Sequence, residues 1–200
     1  TLTAGVGLLG AFALPISAVA AVLAPELIVV MMGARWVQVT SAFQLLAIGI
    51  FPRLAVVPLN ATMRGLRKQR TLLKTQWVYV GMVAGGAWIG TRWGIDGVAA
   101  GVAIALIASF VILSIATASA VQTHVSQLWR PLPSSVAVAA VAAALAHLGT
   151  VAVGDAGALV TLIVGGGLGA AAMAAGLLLP GRRRDLRFFL RRRGRRGAVA

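Results

Sequence analysis

The stretch Ile48-Gly-Ile-Phe-Pro-Arg-Leu-Ala-Val-Val-Pro-Leu-Asn60 holds one arginine, Arg53, inside an almost wholly apolar run. The run belongs to an apolar segment over about 40–63, long enough to cross about 30 Å of hydrocarbon as a helix. Arg53 lies roughly 20 Å and 15 Å from the two ends of this segment at 1.5 Å per residue. A central arginine costs at least about 2.5–3.5 kcal/mol to insert, so we expect Arg53 to face the bundle interior or water and to meet an anion.

Composition places the whole chain in the membrane class. Of its 200 residues 60% are hydrophobic and only 11% are charged, with a mean hydropathy of +0.94. A soluble domain has about 25% charged residues. We therefore expect an all-α polytopic membrane helix bundle. The chain begins at Thr1 with apolar sequence, so we expect it to be the C-terminal part of a longer membrane protein.

Apolar runs predict six transmembrane helices followed by a polar tail. The predicted spans are 5–32, 40–63, 76–90, 97–121, 132–153 and 156–179. The predicted organisation is a transmembrane region over 1–180 and a basic tail over 181–200. Five tryptophans lie near predicted span ends, as expected of an interfacial belt: Trp36, Trp77, Trp88, Trp93 and Trp129.

The basic residues indicate an orientation. The net charge of +14 is concentrated in two segments outside the apolar runs, 64–74 and 182–196. Basic and base-poor connections alternate along the chain, as the positive-inside rule requires of real crossings. We therefore expect a multi-pass protein of a bacterial cytoplasmic membrane with both ends cytoplasmic, and no nucleic-acid partner.

Prolines and glycines predict how the helices bend and pack. Four prolines in the first two spans are expected to kink them and to free backbone carbonyls: Pro15, Pro25, Pro52 and Pro58. Small-xxx-small pairs predict close helix contacts at Gly81/Gly85, Gly97/Gly101 and Gly165/Gly169.

A polar stripe on the second span gives the candidate substrate cavity. Gly49, Arg53, Asn60 and Arg64 fall within about 60° of one another on a helical wheel. We predict that Arg53, Asn60 and Arg64 line a cavity that opens to the cytoplasm and receives a phosphate-bearing lipid, because guanidinium binds phosphate in a bidentate manner. Glu26 is a weaker candidate, since it lies nearer the outer end of the first span. Whether Arg53 meets substrate or an acid elsewhere in the protein stays open.

Catalytic and metal chemistry are not predicted. The chain has no cysteine, and its four acids and two histidines form no cluster at ligand or acid–base spacing. We expect no enzyme activity, no metal and no cofactor.

Several motifs in order resemble bacterial polysaccharide (O-antigen and exopolysaccharide) flippases. They are Leu14-Pro-Ile, Leu23-Ala-Pro25 and a run ending in Gly33-Ala-Arg-Trp36, then Arg64-Gly-Leu-Arg-Lys-Gln-Arg70 and Trp93-Gly-Ile-Asp-Gly-Val-Ala-Ala-Gly101. The resemblance covers about residues 10–125. It implies the multidrug/oligosaccharidyl-lipid/polysaccharide exporter superfamily, whose members have two lobes around a central cavity.

This resemblance implies a function and partners. The chain would be the partial C-terminal lobe of a two-lobe transporter that moves undecaprenyl-diphosphate-linked oligosaccharide for polysaccharide (for example lipopolysaccharide) biosynthesis. Its partners would be that lipid-linked oligosaccharide, membrane lipids and the N-terminal lobe of the same protein. The alternatives are a multidrug cation antiporter or lipid II flippase of the same superfamily, a membrane enzyme of glycolipid assembly, and a non-catalytic scaffold.

Overall fold

The computed structural model describes residues 2–130, 132–153 and 157–177, and all regular structure in these ranges is helical. The α-helices are α1 (Leu2–Val22), α2 (Ala24–Met32), α3 (Thr40–Ile48), α4 (Ile50–Gly65), α5 (Gln69–Gly90), α6 (Gly94–Val121), α7 (Val125–Trp129), α8 (Leu132–Val153) and α9 (Ala158–Leu177). Short 3-10 helices at Ala34–Val39 and Thr91–Trp93 join α2 to α3 and α5 to α6. The predicted basic tail, 181–200, and Asp155 and Asp185 lie outside the described residues.

The prediction of an all-helical membrane protein is confirmed at this coarse level. Five stretches of the described chain are long and apolar enough to cross a membrane: Gly5–Val22, Ala34–Gly65, Gln69–Val121, Val125–Ala152 and Ala158–Ala175. The third is 53 residues long and contains both α5 and α6. These two helices run antiparallel, since Gly86 lies against Gly101 and Gly90 against Gly97.

Two predicted spans are interrupted, and prolines explain where. The first breaks at Leu23 and the second at Gly49, two or three residues before Pro25 and Pro52. These prolines therefore sit in the first turn of α2 and α4, where a missing N–H removes no intrahelical bond. Pro15 and Pro58 lie inside α1 and α4.

Hydrogen bonds between α1 and α3 satisfy carbonyls beside these breaks. Pro25 cannot donate to the Ala21 carbonyl four residues earlier, and the Gln44 side-chain amide donates to that oxygen instead, at 3.0 Å. The Ser17 hydroxyl donates to the Ala47 carbonyl, just before the Gly49 break. A side chain of α3 thus satisfies a carbonyl near the end of α1 that has no donor at position 25.

The basic connection between α4 and α5 is shorter than predicted. We expected a polar loop over 64–74, but α4 extends to Gly65 and α5 begins at Gln69. Arg70 and Lys74 therefore lie on the first turns of α5, and this helix has 22 residues rather than the 15 of the predicted span. The three-residue turn is closed by a bond from the Lys68 N–H to the Met63 carbonyl, with Arg67 at a φ of 56°.

The core lies between α1, α4 and α6. Its buried side chains are Val6, Ala13, Phe51, Ala55, Leu59, Met63, Phe110, Leu113, Ala118 and Leu128. Phe51 meets Phe110 edge-on with ring centroids 5.5 Å apart, and Phe110 stacks on Trp129 at 6.4 Å. On one side of this core α8 and α9 pack together and against α1.

On the other side, α5 is the outermost helix. It packs mainly on α6 and only lightly on α4, and Gly90 is its only fully buried residue among those described. Its Trp77 and Trp88 side chains are 74% and 79% exposed. The light contact between α5 and α4 leaves a cleft between them, with α6 as its floor.

Glycine packing on α5 differs from the prediction. A Cβ at Gly81 or Gly85 would meet nothing within 4 Å among the described atoms, so no neighbouring helix packs closely on these residues there. The contact to Gly97 and Gly101 of α6 is made instead by Gly86 and Gly90. A Cβ added at Gly86 would lie 2.9 Å from the Gly101 carbonyl oxygen. We call these four glycines the glycine seam.

Close packing at the other predicted pairs is confirmed. A Cβ at Gly169 would lie 2.7 Å from a Val19 methyl group of α1. One at Gly165 would lie 2.8 Å from a Leu23 methyl group. These two glycines let α9 approach α1.

Candidate functional site

The cleft between α4, α5 and α6 contains a groove of about 360 Å³, and its lining is unusually polar for this chain. The polar side chains on it are Arg53, Asn60, Thr75, Gln76, Tyr79 and Ser109. The remaining walls are leucines and valines of α4 and α6. We call this the polar groove.

Helical spacing explains why α4 presents Arg53 and Asn60 together. The two residues are seven apart, which separates them by about 20° around the helix and about 10 Å along it. The opposite face of α4 is buried in the core through Phe51, Ala55 and Leu59. The apolar face of α4 is thereby fixed against α1 and α6, and the polar face turns toward α5.

Arg53 lies in the first turn of α4, after the Gly49 break. It lies about midway in the Ala34–Gly65 stretch that is apolar enough to span a membrane. Its backbone N–H donates to the carbonyl of Gly49, the N-cap residue of α4, at 3.2 Å. The side chain is exposed, and within the described ranges no carboxylate lies within ion-pair distance of it.

Asn60 joins Arg53 in the polar groove, but the other two predicted site residues do not. Arg64 is exposed in the last turn of α4 and is not part of the groove lining. Glu26 lies in the first turn of α2, also away from this lining. Its Oε2 atom is buried and has no hydrogen-bond partner within the described part of the chain. Gly49 of the predicted stripe packs against Leu106.

Sequence reasoning missed the contribution of α5. Helical spacing puts Thr75, Gln76 and Tyr79 on one face of α5. This face lies across the polar groove from Arg53. The signal was the presence of the chain's single tyrosine and a glutamine on one face of α5. Recognising their role required knowing that α5 begins at Gln69 and that this face lies across from α4.

Hydrogen bonding in the polar groove leaves donors available. The Thr75 and Ser109 hydroxyls donate to carbonyls of their own helices, at 2.8 Å to Leu72 and 3.0 Å to Leu106. The Arg53 guanidinium, the Asn60 and Gln76 amides and the Tyr79 hydroxyl make no side-chain hydrogen bond to any described residue. A guanidinium offers five N–H donors, each amide two and the phenol one.

The charge of the polar groove is positive. Arg53 is the only ionised side chain among its lining residues in the described structure, and no carboxylate is among them. A partly apolar cleft with several donors and one permanent positive charge favours a ligand group with several acceptor oxygens and negative charge, such as a phosphate or diphosphate.

No group of three or more histidine, cysteine or acidic side chains that could hold a metal is present among the described residues. A comparison of the chain with known protein families, curated proteins and solved structures finds no match. The geometry of the polar groove and the motif order along the sequence are therefore the grounds for a functional proposal.

Proposed function

We propose that the chain is part of a membrane transporter that flips undecaprenyl-diphosphate-linked oligosaccharide across a bacterial cytoplasmic membrane for polysaccharide biosynthesis. The observation that carries this proposal is Arg53, a permanent positive charge at mid-span that opens on a donor-rich groove and has no described carboxylate partner. The order of flippase-like motifs over about residues 10–125 names the class of substrate.

Six crossings are part of this proposal. The 53-residue apolar stretch from Gln69 to Val121 contains two antiparallel helices of 22 and 28 residues. Their lengths are about 33 Å and 42 Å at 1.5 Å per residue, and each is enough to cross about 30 Å of hydrocarbon. Counting them separately gives six spans, with the α4–α5 turn on the cytoplasmic side by the positive-inside rule.

The polar groove supports an anionic substrate over a cationic one. A multidrug cation antiporter needs negative charge where its substrate binds, whereas the described lining of this groove has a guanidinium and no carboxylate. A diphosphate offers several acceptor oxygens, which the Arg53 guanidinium and the Asn60, Gln76 and Tyr79 donors would bind. In a low-dielectric cleft such charge-assisted hydrogen bonds are strong.

Arg53 variants test this proposal directly. We expect Arg53→Ala to lower flipping by about ten- to one-hundred-fold, because a hydrogen bond to a charged group is worth about 1.5–3 kcal/mol. Arg53→Lys should recover only part of this, since lysine keeps the charge but loses bidentate geometry. The measurement is translocation of a fluorescent undecaprenyl-diphosphate-linked oligosaccharide in proteoliposomes containing the complete protein.

Two other arginines provide the controls. Arg35→Ala removes an equal charge from an exposed 3-10 helix outside the polar groove and should leave flipping unchanged. Arg64→Ala should have a smaller effect than Arg53→Ala, because Arg64 lies outside the lining. Equal losses in all three variants would indicate a general charge effect and would contradict the proposal.

A further inference from the structure

A second groove lies beside the polar groove and is lined almost wholly by apolar side chains. It has a volume of about 560 Å³ between α3 and the start of α6. Its apolar lining includes Ala42, Leu46, Ile95, Val98, Ala99 and Val102. We call it the apolar groove.

The two grooves share one floor. Ile95, Val102 and Ser109 recur every seventh residue along α6, so each is displaced by only about 20° from the one before. Ile95 and Val102 line the apolar groove, and Ser109 lines the polar groove. One face of α6 therefore runs under both grooves, and Val102 lies about 10 Å along the helix axis from Ser109.

The grooves are neighbours along α6, on either side of the point where α3 gives way to α4. At this break Gly49 lies directly on Leu106, and a Cβ at Gly49 would come within 2.7 Å of a Leu106 methyl group. Leu106 lines the polar groove and is one turn from Val102 of the apolar groove. Apart from Arg53, the described lining of the two grooves contains no charged side chain.

We propose that the apolar groove holds the hydrocarbon chain of the same lipid whose diphosphate binds in the polar groove. This inference rests on the proposed function and adds the place and direction of the lipid tail. Polar donors and a positive charge at one end, followed along a single helix face by an apolar channel, match the order of groups in a polyprenyl diphosphate. The tail then lies between α3 and α6 and points away from the α4–α5 turn.

The occupant follows from charge complementarity and continuity. A diphosphate offers the Arg53 guanidinium and the neighbouring donors more charge and more acceptor oxygens than the single phosphate of an ordinary bilayer lipid. Within a bilayer the tail gains little hydrophobic free energy from the apolar groove, because the surrounding lipid is equally apolar. The groove therefore acts by orienting the tail through packing contacts, and its occupancy is best measured by proximity.

A photoreactive lipid tests the inference. The probe is a farnesyl diphosphate analogue with a diazirine at the end of its chain, added to the complete protein in nanodiscs, with labelled peptides identified by mass spectrometry. We expect labelling of α3 and α6 residues on the apolar groove, near Leu46 and Val102. Excess inorganic diphosphate should reduce this labelling by competing for the polar groove.

Groove-filling variants supply the specific readout. Val102→Trp and Leu46→Trp should each cause loss of the groove label, and the half-exposed Leu46 offers a second site if the first variant folds poorly. Ile107→Trp should leave the label intact, because Ile107 is exposed on the opposite side of α6 and lines neither groove. Label spread evenly over α6, or unchanged by Val102→Trp, would overturn the inference.

Failure of the inference and failure of the proposed function give different results. Binding of inorganic diphosphate that is lost in Arg53→Ala, together with a label outside the apolar groove, would keep the proposed function and reject the tail position. Inorganic diphosphate that binds the Arg53→Ala variant as well as the unsubstituted protein would reject both. Labelling near Val102 that needs Arg53 and is lost in Val102→Trp would support both.

Discussion

The positive charge of Arg53 would serve ligand binding in the proposed function, but it is expected to lower the stability of the folded protein. A guanidinium inside a stretch apolar enough to cross a membrane, without a described carboxylate partner, is costly to insert, and here it is exposed on the polar groove. A residue kept for ligand binding is expected to reduce stability. An arginine held in an ion pair with an acid elsewhere in the protein would instead increase it, since breaking a buried pair destabilises.

Substitution by an apolar residue distinguishes these two roles. We expect Arg53→Leu to raise the free energy of unfolding in a bilayer by up to about 2.5 kcal/mol, the lower estimate for placing arginine at a helix centre. The measurement is steric-trap or denaturant unfolding of the complete protein in bicelles. A clear loss of stability would instead assign Arg53 to a structural ion pair, and Arg35→Leu on an exposed 3-10 helix is the matched control.

The sequence predicts part of the candidate site and no more. Helical periodicity places Asn60 on the same face as Arg53, because this depends on local geometry alone. Tyr79 and Gln76 depend on how α5 packs, which local geometry does not determine. The same periodicity includes Arg64, although it lies outside the groove.

At the scale of helices, the glycine seam between α5 and α6 is the closest backbone contact that can be tested with matched variants. Gly101→Ala would place a methyl group into the Gly86 carbonyl, and backbone there cannot move aside without separating the helices. We expect this change to lower the free energy of unfolding by about 1–3 kcal/mol, the usual cost of overpacking.

The control for the seam lies on the same helix pair. Gly81→Ala adds the same methyl group where nothing lies within 4 Å, so it should be neutral or should stabilise the helix by up to about 1 kcal/mol. Both variants would be measured by unfolding in bicelles. Equal effects at Gly101 and Gly81 would show that the seam does not hold α5 to α6.

This seam also shows why one glycine pair was predicted wrongly. Helix α5 contains four glycines, and two overlapping small-xxx-small pairs can be read from them, Gly81/Gly85 and Gly86/Gly90. Spacing alone cannot choose between these faces, because both satisfy the pattern. The choice is made by the tight turn at Thr91–Trp93, which brings Gly90 against Gly97 at the start of the hairpin.

Some helix boundaries follow from neighbouring residues alone, whereas contacts between helices depend on how the helices pack. All four prolines were predicted to kink the first two spans; helix breaks lie just before Pro25 and Pro52, whereas Pro15 and Pro58 lie inside α1 and α4. The polar start of α5 was wrongly predicted as loop, because Gln69, Arg70 and Lys74 carry no apolar signal although they continue the helix. The partner of a freed carbonyl, Gln44 for Ala21, follows only from the packing of α3 on α1.

At the scale of the whole molecule, the direction of α5 across the membrane tests the proposed topology. The chain has no cysteine, so single cysteines can be introduced without removing any native one. Gln69→Cys and Thr91→Cys are both exposed and flank α5 at its two ends. We expect a membrane-impermeant maleimide to label Thr91→Cys in intact cells and Gln69→Cys in inverted membrane vesicles.

Labelling of both cysteines from the same side would show that α5 does not cross the membrane, which would reject six crossings. A reversed pattern would keep the crossing and reject only the proposed orientation. Lysed membranes, in which both cysteines should react, are the control for accessibility. The expected pattern depends on the α4–α5 turn being cytoplasmic, as its basic residues indicate.

The backbone contact in the glycine seam would limit how the proposed transport cycle proceeds. Because α5 and α6 touch through backbone without side chains that could change rotamer, they have no alternative packing at small cost and should move as one rigid body. The α4–α5 contact is light by comparison, and the Gly49 break allows α4 to change direction relative to α3. Widening of the cleft would therefore occur by hinging of α4 at Gly49, which would carry Arg53 with it and leave α6, the floor of the cleft, in place.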